Sequence, residues 1–209
     1  MVIAHRPEKP TPSIIIGELL KNRPLLSCWL VTLGGCFALG MFITFLPLHA
    51  QNQKLSVWQI GLVFAAQGLS NALSRIPFGY LSDKVTNRST LVVIGLIGFS
   101  ASMAGFAISK STIHFVTFAI AFGTSMGLAF TSVGALIAEV VPLESRGLAM
   151  GGYNTCIYFG MMLSSASMGT IIRNIGFERG FFITAVVILI LVGFFYVLMK
   201  EFSRIKTKT

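Results

Sequence analysis

Residues 180–199 read GFFITAVVILILVGFFYVLM, a stretch of twenty positions without a charged side chain. An α-helix of about 20 apolar residues is long enough to cross a hydrocarbon core of roughly 30 Å. Five further stretches of at least 20 residues also lack acidic and basic side chains, at residues 24–53, 55–74, 89–109, 111–138 and 147–172. Because a helix satisfies its own backbone hydrogen bonds in lipid, these stretches predict an all-α membrane protein with a six-transmembrane-helix bundle.

The composition excludes a soluble globular protein. Apolar types make up 54% of the 209 residues, charged types only 11%, and the mean hydropathy is +0.80. A soluble chain is about one quarter charged. The cysteines at 28, 36 and 156 lie inside the apolar stretches, without metal-ligand spacing or a disulfide pattern. We therefore expect no metal and no cofactor.

The basic residues predict the orientation in the membrane. If the amino end is cytoplasmic, four of the 16 Lys and Arg residues fall in outer loops, and these are Lys54, Lys110, Arg173 and Arg179. The other twelve fall on the inner side, which agrees with the excess of Lys and Arg in cytoplasmic loops. We expect a protein of the plasma membrane with both termini in the cytoplasm. The net charge of +9 is spread over short loops rather than one face, so no nucleic-acid partner is expected.

The chain is predicted to form one compact bundle between two cytoplasmic tails. Residues 1–23 form a tail with a short amphipathic helix at 13–22, residues 24–199 form the bundle, and residues 200–209 form a basic tail. Short loops predict that sequential helices are antiparallel neighbours, and small residues four apart, such as Gly123 with Gly127 and Gly147 with Gly151, predict close helix contacts. The six helices are placed at about 25–50, 57–80, 90–109, 113–140, 148–172 and 180–199.

The loop after the second predicted helix reads Gly79-Tyr80-Leu81-Ser82-Asp83-Lys84-Val85-Thr86-Asn87-Arg88. Asp83 is an anion where a helix ends, and it can accept hydrogen bonds from a neighbouring helix amino end and from a guanidinium, with Arg88 and Arg146 as candidates. Such a cluster predicts a cytoplasmic gate that is closed in one conformation and broken in another. The alternative is that Lys84 and Arg88 only set the topology.

This loop resembles the signature G-x-L-x-D-[RK]-x-G-[RK]-[RK] of the major facilitator superfamily of secondary transporters. The matching positions are Gly79, Leu81, Asp83, Lys84 and Arg88. Thr86 replaces the family's glycine and Asn87 a basic residue, as is typical of the weaker copy of the signature in the carboxy-terminal half of these proteins. A second resemblance follows the fourth helix, where Glu139, a proline and then Arg146 with a glycine precede the next span. This resemblance implies that Glu139 and Arg146 join Asp83 in the charge cluster of the gate, and a simple helix stop at Pro142 is the alternative.

The resemblance implies that the chain is one half, the carboxy-terminal one, of a transporter that moves a small solute by alternating access. It implies a partner, either a second six-helix half or a second copy of the chain. It also implies a central cavity near the midplane, lined by the first, second, fourth and fifth helices. The polar candidates for this cavity are Thr44, Gln67, Asn71, Thr124, Thr131, Asn154 and Tyr158. An interhelical hydrogen bond is the alternative role for each of them.

Two other functions are open at this stage. A non-transporting membrane scaffold or an inactive transporter fragment would have the same sequence pattern. A membrane enzyme is disfavoured, because the elbow-like letters around Ser125 lie inside a span and not at a strand-to-helix turn. No acid or base is expected in the middle of a span, since Arg75 and Glu139 are assigned to inner ends. This half therefore offers no proton relay of its own.

Overall fold

The computed structural model describes the backbone of residues 12–85 and 87–206 and the side chains of residues 16–85 and 87–199. All regular structure in these residues is helical, so the all-α prediction is confirmed. A 3₁₀ turn, Leu143–Ser145, precedes the sixth helix. The α-helices are α1 (Pro12–Leu19), α2 (Arg23–Asn52), α3 (Val57–Lys84), α4 (Arg88–Ile108), α5 (Thr112–Val140), α6 (Arg146–Ile175) and α7 (Phe177–Lys206).

Five of the long helices are both long and apolar enough to cross a membrane, namely α2, α4, α5, α6 with its 3₁₀ turn, and α7 as far as Met199. The exception among the described helices is α3, which has 28 residues but a lower hydropathy. Its composition includes Gln59, Gln67, Asn71 and Arg75. The count of six spans therefore stays a prediction where α3 is concerned.

The helix ends differ from the predicted ones at several places. The second predicted span ends at residue 80, whereas α3 continues to Lys84 through the signature, and α7 continues to Lys206 into the predicted basic tail. The predicted amphipathic helix at 13–22 corresponds to α1, where Leu19 is buried but Leu20 is exposed. The tail at residues 1–11, Thr86 and residues 207–209 lie outside the described residues.

The helices pack in an order that the loops do not suggest. The main partners of α2 are α6 and α7, and the main partners of α5 are α3 and α4. Each of the first three long helices (α2, α3 and α4) therefore packs mainly on helices of the last three (α5, α6 and α7). Within this pattern, α4 packs on both α5 and α7. The expectation that sequential helices are neighbours is wrong for most pairs, because α2 and α3 hardly touch and only α4 and α5 pack along their lengths. A short loop joins two helix ends, but complementary side-chain surfaces decide which helices pack together.

Small residues explain the closest of these contacts. A Cβ atom at Gly123 or Gly127 of α5 would collide with α3, at the Ser70 hydroxyl in one case and the Ser74 hydroxyl in the other. Here the predicted pair of glycines does bring two helices together. In contrast, a Cβ at Gly147 or Gly151 would meet nothing within 4 Å, so no other helix of the described structure packs against this pair.

Local sequence signals define the helix starts and one sharp turn. Asn22 caps α2 by accepting from the Leu25 amide, and Ser56 and Gln59 form a reciprocal capping box on α3. Gly176 has φ +84° between α6 and α7, a conformation that glycine adopts without the cost of a Cβ atom. This turn reverses the chain between α6 and α7.

An aromatic core holds α2, α4 and α5 together and leaves two helices at the edge. The Phe122 ring lies 4.9 Å from Phe42 and 4.1 Å from Phe99, measured between centroids. The exposed side of α7 between Phe182 and Val197 is aliphatic and aromatic, as a lipid-facing surface requires. The edge helices α3 and α6 instead expose polar and apolar side chains together.

Candidate functional site

Arg88 joins three helices at the predicted gate. Its Nη2 atom lies 3.5 Å from Oδ1 of Asp83 at the end of α3, and its Nη1 atom lies 3.6 Å from Oε2 of Glu139 at the end of α5. Its Nε–H also donates to the Ser82 carbonyl at 3.0 Å. The side chain of Arg88, the first residue of α4, is only 24% exposed, so its guanidinium is held between the two carboxylates. We call Asp83, Arg88 and Glu139 the inner charge cluster.

The other predicted gate residues lie near this cluster without joining it. Arg146, the second candidate partner of Asp83, is exposed at the start of α6 and makes no ion pair among the residues that the structure describes. The Lys84 ammonium lies over the Tyr80 ring, 4.3 Å from its centroid. Leu81 is 39% exposed, and a Cβ at Gly79 would lie 3.9 Å from the Thr131 methyl group.

The predicted cavity residues fall into two groups. Thr44 and Gln67 make interhelical contacts, with Thr44 Oγ1 2.9 Å from Ser165 Oγ on α6 and Gln67 Nε2 3.5 Å from Met126 Sδ on α5. Asn71 is partly buried and accepts a hydrogen bond within α3. The remaining candidates have no side-chain hydrogen bond among the described residues. Thr124 and Thr131 are partly buried on α5, and Asn154 and Tyr158 are exposed on α6.

Arg75 is exposed on α3, nine positions before the end of that helix. α3 continues through Pro77 and past the predicted end at residue 80. The expectation that no charged side chain lies in the middle of a span stays a prediction. The Arg75 Nε–H donates to Oδ1 of Asn71 at 3.4 Å.

Tyr153 is a partly buried residue of α6 that the sequence analysis did not select. Its side chain packs against the hydrophobic core.

The elements that would support other chemistry are absent from the described part of the chain. Ser125 lies inside α5, and its hydroxyl is packed against Gly98 rather than exposed at a strand-to-helix turn. The described residues contain no group of three or more His, Cys, Asp and Glu side chains that could hold a metal ion. The edge helices α3 and α6 therefore expose polar side chains, and the inner charge cluster lies at the end of α3.

Comparison with known proteins decides the family. The sequence profile of the Major Facilitator Superfamily matches residues 28–208. The chain belongs to the major facilitator superfamily. The interlocking of three helices with three others agrees with the inverted repeats that make up each half of these transporters. Proteins of this family transport solutes across membranes, and this chain is an integral membrane protein.

The relatives support this assignment. The chain is 26% identical over 178 residues to an uncharacterised MFS-type transporter of Methanocaldococcus jannaschii, covering 85% of this chain and 46% of the relative. It is 28% identical over 199 residues to the multidrug resistance protein MdtG of Yersinia enterocolitica, covering 90% of this chain and 46% of that protein. One of these relatives is named a transporter and the other a multidrug resistance protein.

A solved structure shows the same fold. The crystal structure of a bacterial homologue of the human lysosomal transporter Spinster, inward-facing and unoccupied, matches with a TM-score of 0.71 at 18% identity. The match covers 85% of this chain and 43% of that protein. The chain thus spans about half the length of the superfamily members it matches.

Proposed function

We propose that the chain is one six-helix half, the carboxy-terminal one, of a secondary transporter that moves a small solute by alternating access. In this proposal it works in the inner cell membrane, with both termini in the cytoplasm and a second half closing the cavity. The second half is either a separate six-helix unit or another copy of this chain. The family assignment supports transport, and the following features support the finer points.

The main support is the character of α3. This helix is about as long as the membrane spans around it, but it is less apolar than they are and is largely exposed. The Arg75 guanidinium is exposed and the Asn71 amide is only partly buried. Such polar groups are costly in lipid, so this surface of α3 has to face water or protein. A water-filled cavity between two halves satisfies this requirement, and a lipid-facing scaffold helix does not.

Two features favour a second half. Large apolar side chains are exposed on the edge helices, such as Leu69 and Leu73 on α3 and Met162 on α6. The small-residue pair Gly147 and Gly151 also faces open space at the inner end of α6. Small residues at this spacing allow another helix backbone to approach closely. A protein partner on the edge helices would cover both features.

The inner charge cluster supports a gate that opens. Its ion pairs are 3.5 and 3.6 Å long, and the Asp83 carboxylate is 76% exposed. An exposed ion pair of this kind is worth about 0.2–1 kcal/mol. Contacts of this strength hold α3, α4 and α5 in one arrangement but can break in each transport cycle. A deeply buried ion pair would be too costly to separate.

Reconstitution tests the proposal. The purified chain would be reconstituted into liposomes loaded with carboxyfluorescein, an organic anion, or with ethidium, an organic cation. Light scattering in detergent would give the oligomeric state. We expect a dimer, or a complex with a co-expressed six-helix half, that releases one of the dyes faster than empty liposomes do. A monomer that also releases neither dye in the presence of a co-expressed half would contradict the proposal in favour of a scaffold or inactive fragment.

A further inference from the structure

Asn22 joins the start of α2 to the end of α5. Its Nδ2–H donates to the Val140 carbonyl at 2.9 Å, and its Oδ1 accepts from the Leu25 amide at 3.1 Å. Val140 is the last residue of α5, 118 positions further along the chain. The side chain that caps α2 is therefore also a tertiary contact, and it lies on the side of the bundle that carries the inner charge cluster.

The chemistry of the two helix ends explains why an asparagine suits this position. The first amides of a helix and its last carbonyls have no partner within that helix. An asparagine amide carries both a donor and an acceptor, so Asn22 satisfies an amide of α2 and a carbonyl of α5 at the same time. Aspartate and serine cap helices equally well, but aspartate has no N–H to donate and serine is shorter.

Asn22 is held in place from both sides along the chain. Its backbone amide donates to the Leu19 carbonyl at 3.1 Å, and the Leu19 side chain is only 5% exposed. Leu25, one turn further on, is fully buried. Because these neighbours are anchored in the core, Asn22 cannot follow the end of α5 when α5 moves. A displacement of α5 therefore breaks the hydrogen bond to Val140.

The last turn of α5 is held in two directions. Glu139 forms its ion pair with Arg88 of α4, and the carbonyl of the adjacent residue, Val140, accepts from Asn22 of α2. One turn of a helix moves as a unit, because its backbone hydrogen bonds tie neighbouring residues together. A movement that separates Glu139 from Arg88 therefore also pulls Val140 away from Asn22.

We propose that Asn22 is a positioning residue of the gate, which holds the last turn of α5 against α2 while Arg88 holds it against α4. The two contacts break together in one opening of the inner end of the bundle. This inference rests on the proposed transport function, because it extends the gate from α3, α4 and α5 to α2. It also assigns a role to a residue that local sequence marks only as a helix cap.

Two thiols report on the two sides of this opening. The first is Cys28 of α2, which is fully buried and is the only thiol when the other two cysteines are replaced by alanine. Residues seven apart share a helix face, so Cys28 lies on the same face as Phe42, whose ring is 4.9 Å from Phe122 of α5. The second is Ser82→Cys in the cysteine-free chain, at a site on α3 that is 1% exposed. A buried thiol reacts only when the structure around it opens.

The experiment crosses two substitutions with the two reporters. The rate of reaction with N-ethylmaleimide is measured in lipid nanodiscs. Asn22→Ser and Asn22→Asp keep the cap of α2 and lose the donor to Val140, and each should accelerate labelling of both thiols about fivefold, the effect of losing one ordinary hydrogen bond. Arg88→Gln should likewise accelerate labelling of both thiols, because it acts on the same opening.

The control is Ser56→Ala, which removes the cap from the start of α3, at the end of that helix farthest from the inner charge cluster. It should change labelling of either thiol less than twofold. Acceleration at Cys28 alone by Asn22→Ser, or at the Ser82→Cys thiol alone by Arg88→Gln, would overturn the inference, since the contacts would then close separate openings. Equal acceleration by Ser56→Ala would overturn it too, because general loosening would explain the labelling.

Dye release from liposomes separates this inference from the proposed function. Where release occurs, Asn22→Ser should change its rate in the same direction as Arg88→Gln does. A rate that responds to Arg88→Gln and not to Asn22→Ser would overturn the inference and leave the proposed function intact. A shared opening without any release, also in the presence of the co-expressed half, would contradict the proposed function while confirming that Asn22 and Arg88 close the inner end together.

Discussion

The carbonyl oxygen of Met161 in α6 lies 2.8 Å from the point where a Cβ atom on Gly40 of α2 would be. The two helices therefore touch backbone to backbone in the middle of the bundle. Gly160 makes the reciprocal contact, since a Cβ there would collide with the Leu33 carbonyl of α2. This contact fixes α6 on α2 and so determines where Tyr153 and the other residues of α6 are presented.

Gly40→Ala should therefore destabilise the bundle. The added methyl group has rigid backbone as its neighbour, and overpacking of this kind costs about 1–3 kcal/mol. The measurement is the free energy of unfolding in a detergent titration. The matched control is Gly193→Ala on the exposed side of α7, where a Cβ meets nothing within 4 Å and the helix gains up to about 1 kcal/mol from the better propensity of alanine. Equal stabilities of the two variants would show that the backbone contact is wrong.

Arg88→Gln should loosen the inner end of the bundle. Ser82 is 1% exposed and its hydroxyl has no hydrogen-bond partner among the described groups, so Ser82→Cys provides a thiol reporter without breaking a contact. We expect a water-soluble maleimide to label this thiol about fivefold faster in the Arg88→Gln variant, because loss of the cluster removes about 1 kcal/mol. The three native cysteines are replaced by alanine in this background.

The control for the gate is Arg146→Gln, because Arg146 is exposed and forms no ion pair in the described structure. Labelling should not change in this variant. An equal acceleration by both substitutions would mean that general positive charge at the inner surface, rather than the bridge from Arg88 to Asp83 and Glu139, keeps Ser82 inaccessible.

His49 should stabilise the outer end of the bundle. It is 2% exposed among Phe115, Phe177 and Phe181, and its Nε2–H donates to the Phe106 carbonyl at 3.0 Å. His49→Leu removes this hydrogen bond but leaves the Phe106 carbonyl accepting from the Ser109 amide, so we expect a loss of about 0.5–1.5 kcal/mol in unfolding free energy.

Ser164→Ala provides the comparison for His49. The Ser164 hydroxyl is buried on α6 without a hydrogen-bond partner in the described structure, so its removal should be neutral or slightly stabilising. The same detergent titration measures both variants. Greater destabilisation by Ser164→Ala than by His49→Leu would contradict the assigned contacts.

The membrane orientation can be tested with single cysteines. Lys84 ends α3 and Lys110 lies between α4 and α5, so one crossing of α4 separates them. Cysteines introduced at the two positions should react with a membrane-impermeant reagent from opposite sides of sealed vesicles, with Lys84→Cys labelled from the inner side. Labelling of both from one side would exclude α4 as a membrane span and with it the proposed transporter.

Much of the fold could be predicted from the chain alone because lipid imposes a simple rule. Stretches without charge predict helices, and these appear with small shifts at their ends. The second predicted helix already included Pro77, and α3 continues beyond its predicted end at residue 80 as far as Lys84. A proline can lie inside a long helix when its neighbours and water satisfy the freed carbonyl.

The sequence by itself determined the helical class, the uncharged stretches and the signature that contains Asp83 and Arg88, because each of these depends on residues that are close together in the chain. Only the tertiary structure decided that α2 packs on α6 and that Glu139 shares Arg88 with Asp83. The physical reason is that helix pairing depends on the fit of two surfaces. Local sequence defines each surface, but not which other surface in the chain matches it.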